Sequence, residues 1–92
     1  MDFKISHARS TMGNNIEVEI DAEKDEKMVH VKIELDGFPL ADDDLEPAAE
    51  HYQNDFANAG DAAPLTKHKL VVTATTSDIE MHSSTSVWTD PI

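Results

Sequence analysis

Apolar and polar residues alternate with a period of two over several stretches of the chain, the pattern of half-buried strands. Phe3 and Ile5 alternate with Asp2, Lys4 and Ser6, giving a strand over residues 1–8. Met12-Gly13-Asn14-Asn15 reads as a turn. Ile16, Val18 and Ile20 then alternate with Glu17, Glu19 and Asp21. After a polar connection, AEKDEK, the residues Val29, Val31, Ile33 and Leu35 alternate with His30, Lys32 and Glu34. The two alternating segments predict a hairpin. Pairing Ile20 with Val29 sets Val18 against Val31 and Ile16 against Ile33 on one face. On the other face Glu19 meets His30 and Glu17 meets Lys32. Opposed acid–base pairs favour a sheet by ~0.2–1 kcal/mol each, and a one-residue slip would set valines against glutamates.

The period then changes. Gly37 and Pro39 end the third strand, and Leu45, Ala49, Tyr52 and Phe56 follow at steps of four, three and four. At about 100° per residue these four share one stripe of a helix. The spacing predicts a helix over about residues 44–59, with Asp43 or Asp44 as N-cap, Pro47 in the first turn, Gly60 at the C-terminal end and Pro64 beyond it. KHKLVVTATT, rich in β-branched residues, reads as a further strand. The Ser/Thr-rich tail holds a last strand near Thr85–Trp88 or around Ile79–Met81. The order β-β-β-α-β, with or without the last strand, predicts an α+β single domain over residues 1–92. Its antiparallel sheet of four or five strands carries one amphipathic helix on the apolar face. Trp88, the only tryptophan, reads as a core residue, with an anchor for a partner as the alternative.

Ninety-two residues support one small core. The absence of cysteine excludes disulfides and thiolate metal sites and suits a reducing cytosol. The N-terminal stretch lacks the apolar segment of a secretory signal. No run approaches the ~18 apolar residues of a membrane span. These features predict a soluble, cytoplasmic protein.

Charge sharpens the reading. The formal net charge is −12, which opposes direct binding to nucleic acid or to an anionic membrane. The charge is also lopsided. Residues 33–66 hold nine acids (Glu34, Asp36, Asp42, Asp43, Asp44, Glu46, Glu50, Asp55 and Asp61) and neither Lys nor Arg. Capping a helix requires one or two of them. The surplus predicts an acidic, helix-centred surface for a basic partner, with Asp42, Asp43, Asp44, Glu46, Glu50 and Asp55 in contact; a merely solvated helix with an acidic cap is the alternative. A halophilic origin would also give an acidic chain, but Lys outnumbers Arg six to one.

Motifs for other chemistry are missing. ADDDLE and DAEKDEK do not fit the spacing of an EF-hand calcium loop. His7, His30, His51, His68 and His82 lie on separate elements without metal-ligand spacing and read as surface or rim side chains, His30 being explained by its pairing with Glu19. Neither a nucleophile elbow nor a phosphate-binding glycine loop is present. The expectation is a non-enzyme without cofactor or metal. A row of acids at alternate strand positions, ~6.7 Å apart, has the repeat of nucleic-acid phosphates. On Glu17, Glu19 and Asp21, however, the facing Lys32 and His30 would weaken such mimicry.

In size, charge and lack of a catalytic motif the chain resembles the small acidic inhibitors encoded by phages, among them anti-CRISPR proteins and other nucleic-acid mimics. That resemblance implies a monomer or homodimer in the host cytoplasm that occludes the basic nucleic-acid groove of a CRISPR effector or other defence enzyme. A small virion or tail component and an antitoxin-like regulatory module are the alternatives.

Overall fold

Alternation governs nearly the whole chain, including the segment whose spacing predicts a helix. The computed structural model describes residues 1–61 and 63–90. They form seven strands: β1 (Asp2–Ser10), β2 (Gly13–Asp21), β3 (Met28–Leu35), β4 (Phe38–Ala49), β5 (His51–Ala59), β6 (Lys67–Thr76) and β7 (Met81–Thr89). No helix occurs among the described residues. The strands make two antiparallel sheets, ordered β1-β2-β5 and β4-β3-β6-β7. Ile16, Val18 and Ile20 of β2 with Tyr52 of β5 face Met28, Val31, Ile33 and Leu35 of β3 and Leu70, Val72 and Ala74 of β6. This is a two-sheet sandwich with one core. Each fully buried large aliphatic side chain in it contributes about 1.5–3 kcal/mol.

The α+β expectation is thereby corrected to all-β. A step of four residues returns to the same face in a strand as well as in a helix, because four is even. Leu45 and Ala49 lie on β4, and Tyr52 and Phe56 on β5. The odd step of three falls where the chain leaves one sheet for the other at Glu50. Pro39 and Pro47 are accommodated because β4 is an edge strand, where a missing N–H need not leave a ladder bond unmade.

The hairpin of residues 16–35 is corrected too. Its two strands lie in different sheets, and their apolar faces meet across the core. Lys4, not His30, lies across from Glu19, and Ser6 and Asp55 flank Glu17. A bulge between Met28 and His30 turns both Met28 and Val31 inward and leaves Val29 half-buried. The tight hairpin is the next one along. Asp36 (φ 53°) and Gly37 (φ 85°) both occupy the left-handed region between the paired Leu35 and Phe38, which a two-residue type I′ turn requires.

The connections fix the flanks. Glu50 alone separates the edge strands β4 and β5, and its carbonyl accepts a hydrogen bond from Ala22 N at 2.8 Å. On the opposite flank β1 and β7 meet, where the His7 ring stacks on Trp88 at 4.1 Å. Trp88 is half-buried against the core.

Candidate functional site

The β4/β5 flank carries all six residues read as contacts, with no Lys or Arg on either strand. They do not form one uniform patch. Asp42 and Asp44 project from the outer face of β4 and hold His30 between them, each with Oδ1 2.7 Å from a ring nitrogen. Asp43 has the opposite parity and points inward, where its Oδ2 accepts the Tyr52 hydroxyl at 2.7 Å. An inward Asp43 contradicts a helix that would turn it to solvent. Burial pushes the Tyr52 phenol up to about 12, with Asn54 opposing and Asp43 reinforcing the shift. Asp55 sits on the outer face of β5 beside Glu17. Glu46, Glu50 and Asp55 are exposed, and their carboxylates have no ion pair or hydrogen bond among the described residues. These three are the free negative charges of the flank.

A second constellation lies around His68 of β6. His68 is not a rim side chain; it is 1% exposed. Its Nδ1 lies 2.8 Å from Asp36 Oδ2 and its Nε2 2.8 Å from Asp90 Oδ2, with Asn14 Nδ2 3.3 Å from the same Nε2. With a carboxylate at each nitrogen, these contacts favour the charged ring, which donates through both. Burial pulls the His68 pKa down, but the hydrogen bonds and charges of Asp36 and Asp90 outweigh it and leave the value raised. Burial pushes the Asp90 carboxyl up, and the hydrogen bonds from His68 and Asn14 with the His68 charge outweigh that, leaving it lowered. Asp36 also accepts Lys69 N through Oδ1 at 2.8 Å, so the I′ turn and β6 are tied together. Trp88 covers the imidazole with ring centroids 5.4 Å apart. Gly60 (φ 76°) gives the ring room: a Cβ there would lie 2.9 Å from Leu35 Cδ2 and 3.5 Å from His68 Cε1. A signal for this site existed. His68 shares strand parity with Leu70, Val72 and Ala74 and so belongs to the inner face. Nothing in the spacing points to Asp90.

Two further groups place three metal-ligating side chains together: Glu19, Asp21 and His51, and Glu26, Glu80 and His82. In the first, His51 Nδ1 lies 2.7 Å from Asp21, and the Lys4 ammonium lies 3.6 Å from Glu19 and 3.9 Å from Asp21. That group already contains its cation.

No family model and no curated protein matches the chain. Among solved structures, the chain is similar to a structure described as Clostridium thermocellum CbhA fibronectin(III)-like modules. Identity is 18%, the match covers 98% of this chain and 97% of the other, and the TM-score is 0.54. The fold resembles a fibronectin III-like β-sandwich. At that identity the likeness bears on fold alone. No helix among the described residues is long and apolar enough to cross a membrane.

Proposed function

We propose that the chain is a non-catalytic binding module that docks a basic protein surface, of the kind nucleic-acid-binding proteins present, through its β4/β5 flank. The observation that carries this reading is the set of unpaired, exposed carboxylates Glu46, Glu50 and Asp55 on two consecutive edge strands and the single residue joining them, a segment without Lys or Arg. Partner Arg and Lys side chains would meet them in charge-assisted hydrogen bonds, and the field would speed encounter in a salt-dependent way. Asp42 and Asp44 reinforce the field while holding His30; Asp43 serves the interior. The non-catalytic reading is supported by the state of the buried histidine. Both His68 nitrogens are already engaged by carboxylates and the residue is buried, so neither nitrogen is open to a substrate.

Affinity capture tests the proposal. The tag-free chain, immobilised, is challenged with lysate at low and at high salt beside a Glu46→Lys/Glu50→Lys/Asp55→Lys variant. A partner with a basic surface, retained by the natural chain, eluted by salt and not retained by the variant, is the expected result. A partner held equally by both proteins at physiological salt would overturn the proposal.

A further inference from the structure

The sandwich ends differ in how they treat an imidazole. His68 pairs with Trp88, and His82 pairs with Ala74, in the β6/β7 ladder, so the two histidines lie about 20 Å apart along it. Each has two carboxylates around it. At His68 both contacts are hydrogen bonds of 2.8 Å. At His82, Nε2 lies 3.8 Å from both Glu26 Oε2 and Glu80 Oε2, which is beyond hydrogen-bond length. Two atoms of this group, His82 Nε2 and Glu26 Oε1, are shut off from solvent with no hydrogen-bond partner. Buried polar atoms without partners are uncommon and call for an explanation.

We propose that Glu26, Glu80 and His82 bind a divalent metal ion of the zinc class. The ligand atoms all lie within 4.8 Å of one another. A tetrahedral ion with bonds of about 2.0–2.2 Å holds its ligand atoms about 3.4 Å apart, so a contraction of a few tenths of an ångström brings both 3.8 Å separations to that edge length. The ion takes the Nε2 lone pair and one oxygen from each carboxylate and leaves the fourth position to water. One imidazole with two carboxylates suits zinc better than calcium, which takes oxygen ligands.

The main chain of all three residues is anchored. Glu26 sits in a turn closed by its N–H on Glu23 O at 3.0 Å. Glu80 is anchored by its carbonyl accepting Thr76 N at 2.9 Å. His82 belongs to β7, in phase with the inward-facing Trp88. The Glu80 side chain is 68% exposed, so the ion enters on that side. The three ligands are 54 and 2 residues apart in the chain, which is why sequence spacing does not reveal them. Among the described residues no Lys or Arg is ion-paired with the three; the Met1 ammonium, whose charge is felt by Glu26, bonds Glu23 at 2.9 Å.

Zinc chloride and cobalt chloride titrations of the tag-free chain test the proposal, read by calorimetry, by the visible bands of low-symmetry cobalt, and by thermal unfolding with and without EDTA. One ion per chain and a rise in melting temperature reversed by EDTA are expected. His82→Gln and Glu26→Gln should each weaken binding by more than about tenfold, while His51→Gln leaves it unchanged. Circular dichroism of the metal-free variants establishes that they fold. Absence of zinc and cobalt binding, or binding that is lost in His51→Gln and kept in His82→Gln, would overturn the proposal.

Discussion

At one end of the sandwich, Asp36 and Asp90 close on one buried imidazole. Along the β4/β5 flank, Glu46, Glu50 and Asp55 face solvent with nothing attached. The same side-chain chemistry produces two outcomes because the dielectric differs. Inside, a charge without a partner is strongly unfavourable, and buried His68 accordingly has a carboxylate at each ring nitrogen. Outside, water screens each carboxylate, repulsion is weak, and free charges accumulate at little cost to stability. The interior charges therefore constrain the fold, whereas the exterior ones are available for a partner. That division makes the two regions separable by experiment.

The largest expected effect is in the network. His68→Leu takes from buried Asp90 its charged partner, leaving it the Asn14 hydrogen bond and the Arg9 charge, and should lower stability by about 3 kcal/mol in urea unfolding. A loss below about 1 kcal/mol would mean that the buried charges are not coupled. The pH dependence follows from the two shifts. The His68 pKa is raised on folding, so its contribution is complete below the ordinary value of 6.5 and is lost as pH rises through the folded value. The Asp90 pKa is lowered, so its contribution is present above the ordinary value of 3.8 and is lost as pH falls through the folded value. The network should thus stabilise most between 3.8 and 6.5. His68→Gln should flatten the decline on the alkaline side, and an unchanged slope would remove His68 as its source.

Tyr52, the buried tyrosine of the flank strand β5, should give an intermediate effect. Tyr52→Phe deprives Asp43 of its 2.7 Å donor and should cost about 1 kcal/mol. It is the single tyrosine of the chain, so an ultraviolet titration reads it alone, with a midpoint near 12 in the folded protein; a midpoint near 10 with the fold intact would contradict its burial. The smallest effect belongs to the flank. Glu46→Lys, Glu50→Lys and Asp55→Lys should each change stability by less than about 0.5 kcal/mol, and a cooperative collapse of any one of them would show that the flank carries structure rather than a field.

The strands were legible where one face is apolar and the other charged, as in Ile16–Asp21 and Val29–Leu35. Their partners were not. Alternation says which side chains face a core and leaves open whether two strands pair edge to edge or oppose face to face across it. Leu45, Ala49, Tyr52 and Phe56 show a related degeneracy, since a step of four fits both periods. Asp36-Gly37 between Leu35 and Phe38 carried the decisive hairpin signal, but reading Gly37 as a stop concealed it. The concentration of acids was legible, being a property of composition. Their separation into Asp43 facing in, Asp42 and Asp44 clasping His30, and Glu46, Glu50 and Asp55 left free depends on strand parity and on His30 lying on a neighbouring strand, which a helix-based reading could not supply.

Hydrogen exchange of the chain in complex with a partner obtained by salt-dependent capture tests the docking surface most directly. Protection of backbone amides is expected to concentrate on residues 42–55 of β4 and β5, with residues 81–89 of β7 exchanging as in the free chain. Protection confined to β7 and β1, with residues 42–55 unchanged, would contradict an electrostatic docking flank.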